Sequence, residues 1–269
     1  MTHTTPSTTR RTVLTTIAAG SLAGAGCTDG RAPGSGADAI TAVRVDGTAL
    51  VVEYDADTSA TGLAVIAPSG EAFAERELTP GASQETIPIG TAYPPGTYAV
   101  QLVDADSVVA AVERSLQPDI VIRELKLARN HPEEMYEGAA SLTITGEVIV
   151  DIENVGTGPE KLTKLRFEGD VPHPTQNDLD KSGISAVNEP VVHGEPIIDA
   201  GERRNIYSIT LPFGPGSDVV NCTSEGTSGQ FVVSLTGAVG GELAEQEYNV
   251  TYQGENLSEC QITVERDDS

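Results

Sequence analysis

Residues 94–103 read Pro-Pro-Gly-Thr-Tyr-Ala-Val-Gln-Leu-Val, and this stretch decides the fold. Tyr98, Val100 and Leu102 fall on one face of an extended chain and Thr97, Ala99 and Gln101 on the other, the period of two expected of a half-buried strand. Pro94-Pro95-Gly96 marks the corner that leads into it. On either side, short apolar runs recur at intervals of about ten residues with turn residues between them, which is sandwich patterning. They are Ile40 to Val45, Ala49 to Tyr54, Leu63 to Ala67, Thr86 to Ile89 and Val108 to Val112. Asp46-Gly47 is a hairpin signal and Pro68-Ser69-Gly70 a turn.

Composition agrees with strands. Aromatic residues make up 4% of the 269, Trp is absent, and Val, Ile, Thr and Gly recur throughout. Two modest cores fit this length better than one large one. Gly96-Thr97-Tyr98 followed by alternating apolar residues resembles the penultimate strand of immunoglobulin-like or fibronectin-like modules. The resemblance implies that Tyr98 bonds back to the preceding corner. Gln117-Pro118 separates this module from a second, because a proline breaks strand pairing just before the fresh alternating run Asp119 to Leu125. The next strand is expected from Leu142 to Asn154, ending in the turn Asn154-Val155-Gly156.

The segments IVIRELKL, VIVDIENVGTGPEKLTKLRF and PIIDAGERRNIYSITL resemble the cell-adhesion-related (CARDB-like) domain of prokaryotic surface proteins, an immunoglobulin-like sandwich. In that family an extended strand leads into an Asn-Val-Gly turn, here Asn154-Val155-Gly156, and a later Gly-Glu pair, here Gly201-Glu202, opens another strand. The resemblance covers 119–211, with strands from Gln230 to Val239 and Glu247 to Tyr252 expected to complete the sheet. The chain departs from the family in a long insertion, residues 169–196. The resemblance implies adhesion or scaffolding and no chemistry. The expected fold is therefore all-β, with two immunoglobulin-like β-sandwich domains at 39–117 and 118–269 after a signal peptide and a flexible tether. A single merged sandwich is the alternative.

The first thirty residues carry the destination. Arg10-Arg11 stands one residue before the short, uncharged, Thr- and Gly-diluted stretch Val13 to Ala25, the shape of a signal peptide with a twin-arginine export motif over 1–26. A membrane-spanning helix needs about 18–20 strongly apolar residues, and this run is shorter and less hydrophobic. The run closes in Leu22-Ala23-Gly24-Ala25-Gly26-Cys27, small residues before a cysteine that resemble a lipobox, which implies a lipid on the Cys27 thiol. Two chains on one anchor hold a membrane far better than the single chain that gives only reversible binding. Residues 27–38 then read as the lipidated tether, since Gly, Pro and Ser leave little to bury.

Charge excludes some partners. The formal charge is −24, and removal of 1–26 leaves 14 basic against 40 acidic groups, or −26. A surface so acidic repels nucleic acid and anionic lipid. Multimolar salt shortens the screening length to about 3 Å or less and makes the self-repulsion tolerable. The lysines are only Lys126, Lys161, Lys164 and Lys181, against twelve arginines. That bias resembles the proteins of extremely halophilic archaea; an ordinary acidic protein is the alternative.

With Cys27 committed to lipid, Cys222 and Cys260 remain as an even pair in an exported chain, where a disulfide is expected. Free thiols or metal ligation are the alternatives. Asn221-Cys222-Thr223, Asn249-Val250-Thr251 and Asn256-Leu257-Ser258 are glycosylation sequons, of which at least one is expected to be used; chance occurrence in a Ser- and Thr-rich sequence is the alternative. His131, His173 and His193 match no metal spacing and are taken as solvated loop residues; a divalent-cation site formed in the insertion by His173 and His193 with Asp178 and Asp180 is the alternative. Asp104 and Asp106 lack the Glu and central Gly that shape a calcium loop. No Gly-x-Ser-x-Gly elbow, Gly-rich phosphate cradle or HExxH motif occurs. No catalytic residue, metal ligand or cofactor is assigned.

The expectation is a lipid-anchored, extracellular cell-envelope protein on the outer face of the cytoplasmic membrane. It is a binding, adhesion or scaffolding module, its partner a cell-surface protein or glycan. An accessory subunit of a transporter or respiratory complex is the alternative, followed by a secreted hydrolase or metalloprotein.

Overall fold

The structure is a computed structural model that describes residues 39–105, 107–185, 194–217, 219–257 and 259–267. The signal peptide, Arg10, Arg11, Cys27 and the tether lie outside the described residues. So do Asp106 and His193.

The first seven strands are β1 (Ile40–Asp46), β2 (Ala49–Tyr54), β3 (Gly62–Ile66), β4 (Ala72–Glu77), β5 (Gln84–Pro88), β6 (Gly96–Asp104) and β7 (Ser107–Leu116). They form two antiparallel sheets, β1-β2-β5 and β4-β3-β6-β7. Leu50, Val52, Tyr54 and Ile87 of the first sheet share one buried cluster with Leu63, Val65, Tyr98, Val100 and Leu102 of the second. The period of two read from 97–103 is thus realised: Tyr98, Val100 and Leu102 are fully buried while Thr97 is exposed. Each such side chain contributes about 1.5–3 kcal/mol by leaving water. The Tyr98 hydroxyl donates to the Pro94 carbonyl at 2.7 Å, and the Phe73 ring meets the Tyr98 ring edge-on at 5.4 Å. The corner bond implied by the resemblance is therefore present.

The second group comprises β8 (Ile120–Leu127), a short helix α1 (Ser141–Gly146), β9 (Val148–Asn154), β10 (Glu160–Gly169), β11 (Ile197–Ile198), β12 (Arg203–Tyr207), β13 (Thr227–Gly237), β14 (Gly241–Gln253) and β15 (Gln261–Arg266). Its sheets are β12-β9-β8 and β11-β10-β13-β14-β15. Ile122, Val150, Ile152 and Ile206 of one face Leu165, Phe167, Phe231, Val233 and Tyr248 of the other in a single cluster. The two groups repeat one strand order, and β15 is added at an edge in the second. The protein is all-β, of immunoglobulin-like sandwiches.

Strand assignments change at three places. The run from Leu142 is no strand: residues 141–146 form α1, and β9 begins only at Val148. The Leu-Thr-Ile-Thr alternation suggested extension, yet Leu142 is 58% exposed, so no core rewards the strand. Instead the Arg129 guanidinium donates to the Thr145 carbonyl at 2.9 and 2.7 Å, a cation at a helix C-terminus satisfying an orphan acceptor. Gly146 packs closely, since an added Cβ would lie 2.9 Å from Leu211 Cβ. Two strands lie outside the expected runs: β4, an edge strand whose Glu75, Arg76 and Glu77 face solvent, and β15 at the edge of the second sheet.

The connection between the two groups is bonded throughout. Thr157 and Val155 donate their backbone N–H groups to Gln117 and Asp119 carbonyls at 2.7 and 2.8 Å, and Tyr93 donates its hydroxyl to Pro159 at 3.0 Å. Asn154 is fully buried beside it. Its Nδ2 donates to the carbonyls of Gly158 (2.9 Å) and Ile198 (3.0 Å). Its Oδ1 accepts from the N–H groups of Asp119 (3.2 Å) and Gly156 (3.0 Å). Two donors and two acceptor positions are the whole capacity of an amide side chain, and all are used.

Candidate functional site

Segment 128–140 crosses the outer face of the β12-β9-β8 sheet and covers it. Ala128, Ile149 and Tyr207 form a small cluster there, with Met135 and Tyr136 packed against it. The Tyr136 and Tyr207 rings meet edge-on at 5.2 Å, a favoured aromatic geometry. Tyr207 also donates its hydroxyl to the Glu134 carbonyl at 3.0 Å, fixing the crossing segment to the sheet.

Beneath that segment lies Glu147, 3% exposed. Its Oε1 accepts from the Tyr136 hydroxyl at 3.4 Å, while Oε2 has no hydrogen-bond partner among the described residues. Burial pushes the carboxyl up to about 8, against a small opposing effect of the Tyr136 hydrogen bond. Burial thus disfavours the charged form of Glu147. The Tyr136 phenol is raised in turn, by burial first and then by Glu147.

At the outer surface of the same segment, Pro132–Glu134 form one 3-10 turn, with the Glu134 N–H donating to the His131 carbonyl at 3.1 Å. Proline at the first position suits such a turn because its φ is already set. The turn gathers His131 Nδ1, 3.9 Å from Glu133 Oε1 and 3.6 Å from Glu134 Oε1; the three donor atoms lie within 4.8 Å of one another. Lys126 Nζ stands 2.9 Å from both Glu134 oxygens and 3.3 Å from Glu124. Hydrogen bonding to Glu134 holds the ammonium above its ordinary value.

His173 lies elsewhere, exposed at the rim of a hollow of about 460 Å³ with Asp178, Asp180, Lys181 and Thr210. The structure thus brings His173 and the two aspartates of the insertion around one space. It does not gather them with His131.

Cys222 and Cys260 are joined as a disulfide, with Cα atoms 6.0 Å apart and a sequence separation of 38. The Cys260 carbonyl accepts from Arg129 Nη1 at 3.4 Å, and Phe213 from Nη2 at 2.6 Å. One guanidinium thereby ties α1, the 213 loop and the bridge together. Of the sequon asparagines, Asn221 is exposed next to the bridged Cys222. Asn249 is exposed on β14, where its Oδ1 accepts from Gln230 at 3.1 Å. Asn256 is exposed and exchanges hydrogen bonds with Glu259.

The described residues contain no helix long and apolar enough to cross a membrane. Sequence reasoning missed the grouping of His131 with Glu133 and Glu134 and also the cluster around Glu147. Its partners Tyr136 and Tyr207 are brought to it by sheet pairing and by the crossing segment, and no local motif announces that.

The class is that of β-sandwich proteins with an immunoglobulin-like strand order. No protein-family model matches the chain, and no curated protein does. Among solved structures the chain is similar to a two-domain fibronectin type-III segment from chicken tenascin, at 8% identity and a TM-score of 0.27, covering 85% of this chain and 96% of that one. It is also similar to a β-glucuronidase from glycoside hydrolase family 2, at 8% identity and TM-score 0.24, covering 82% of this chain. A family 2 glycosyl hydrolase from Bacteroides cellulosilyticus matches at 12% identity and TM-score 0.20, covering 75%. The chain spans 20% and 24% of the length of these two hydrolases.

Proposed function

We propose that the chain is a lipid-anchored binding or scaffolding module of the cell envelope, moored through Cys27 on the outer face of the cytoplasmic membrane. Its work is contact with a surface protein or glycan rather than catalysis. The observation that carries the reading is the Cys222–Cys260 bridge. Disulfides persist in oxidising compartments, and this one leaves Cys27, directly after the small residues of the leader, as the single unpaired cysteine of the sequence. The bonded connection between the two sandwiches supports a rigid spacer that holds loops away from the membrane, where loops commonly carry recognition.

The test is fractionation of cells of a halophilic archaeal host expressing the full chain. The wild-type protein is expected in the membrane fraction and degradable by protease added to intact cells, and Cys27→Ser is expected in the medium. Retention of both forms in the cytosol would reject the proposal. Chemical crosslinking on intact cells then identifies the surface component it touches.

A further inference from the structure

We infer that His131, Glu133 and Glu134 form a binding site for a divalent transition-metal ion of the zinc, copper or nickel type. The inference goes beyond the binding-module reading and does not depend on it. One imidazole nitrogen and two carboxylate oxygens make a mixed donor set, and their three donor atoms lie within 4.8 Å of one another. A tetrahedral zinc with bonds of about 2.0–2.2 Å places neighbouring ligand atoms roughly 3.3–3.6 Å apart. The two separations from His131 Nδ1, 3.6 Å to Glu134 and 3.9 Å to Glu133, are within a few tenths of an ångström of this. The carboxylates of exposed Glu133 and half-buried Glu134, within 4.8 Å of each other, close the remainder by side-chain rotation.

The turn is held in place independently of any ion. Pro132 sets its first residue, and Tyr207 anchors the Glu134 carbonyl from the sheet at 3.0 Å. The Glu134 carboxylate already faces a cation, because Lys126 Nζ reaches both of its oxygens at 2.9 Å. Lys126 also reaches Glu124 at 3.3 Å, so it can leave Glu134 to an incoming ion and keep a partner. The donor set selects the class of ion. Imidazole suits zinc, copper and nickel, whereas calcium seeks six to eight oxygens and magnesium an octahedral oxygen shell.

The experiment is calorimetric titration of zinc into the tag-free full chain in detergent, with calcium and magnesium as controls. One zinc per chain is expected, with calcium and magnesium at least about tenfold weaker. His131→Ala and Glu133→Gln each weaken zinc binding at least about tenfold. Lys126→Met tightens it several-fold by removing the competing ammonium. Circular dichroism melts confirm that each variant is folded, and Glu133→Gln carries the test if His131→Ala is not. No zinc binding at millimolar concentration, equal binding by wild type and both ligand variants, or equal calcium binding overturns the inference. Unchanged or weaker zinc binding by Lys126→Met overturns it as well, since the ion would then not occupy the place of the ammonium.

Discussion

Tyr93 of the first sandwich donates its hydroxyl to the carbonyl of Pro159 in the second, at 3.0 Å. Tyr93 is buried, and that burial raises the phenol far above its ordinary value, with Glu160 adding to the effect. The shift favours the protonated phenol, the form that donates this bond. Gly158 lies so close that an added Cβ would fall 2.1 Å from the Tyr93 oxygen. The two halves are fitted to each other at this point by shape and by a hydrogen bond.

Tyr93→Phe should cost about 1 kcal/mol for the lost bond, plus a part of the cost of an orphaned carbonyl. Gly158→Ala should cost more, since Tyr93 must move. In scanning calorimetry the wild type should unfold in one transition, and Gly158→Ala should separate it into two. One transition at an unchanged temperature for both variants would show that the contact couples nothing.

Asn154→Ala removes four hydrogen bonds at a fully buried position. With roughly 1–3 kcal/mol for each buried polar group left unpaired, a loss of at least about 3 kcal/mol is expected. Urea denaturation measures it directly. A loss under about 1 kcal/mol would mean that water replaces the side chain.

The disulfide closes a loop of 38 residues in sequence separation, and in the chain-entropy model it contributes about 3–4 kcal/mol. Replacing both Cys222 and Cys260 by Ser should lower the urea midpoint accordingly. No shift would mean that the unfolded chain is not restrained by the bridge.

Glu147 gives stability a pH dependence of definite sign. Its folded-state value is raised to about 8 from 4.5, so the folded protein binds the proton that the unfolded chain releases. Below about pH 4.5 both states are protonated and there is no penalty. Between 4.5 and 8 stability falls as pH rises, and above 8 the slope ends. Glu147→Gln should flatten this part of the profile and raise the melting temperature at pH 8 relative to wild type, with little change at pH 4. Parallel profiles for the two proteins would show that Glu147 titrates normally.

Much of the first sandwich was legible because each strand carries its own period of two and its own turn. Tyr98 showed even the corner bond through its place after Gly96. β4 was not legible, because an edge strand buries little and Glu75, Arg76 and Glu77 look like a loop. Alternation misled at Leu142 and Ile144, where Arg129, far back in the chain, stabilises a helical turn instead. Asn154 was read as a turn residue, but its partners Asp119 and Ile198 come from distant positions. Glu160 was invisible for the same reason: it is buried to accept the backbone N–H groups of Val239 and Gly240 at 3.0 and 2.8 Å. The pairing of Cys222 with Cys260 needed only counting. The His131 cluster escaped because its two-to-three-residue spacing belongs to no helix or strand motif and forms only when the turn closes.

The proposed mooring depends on the Cys27 thiol. Mass spectrometry of the N-terminal peptide from protein extracted from host membranes tests it most directly. A chain beginning at Cys27, with a diacylglyceryl-type or phytanyl-type lipid on its sulfur, is the expected result. An unmodified Cys27 within an uncleaved leader would contradict it.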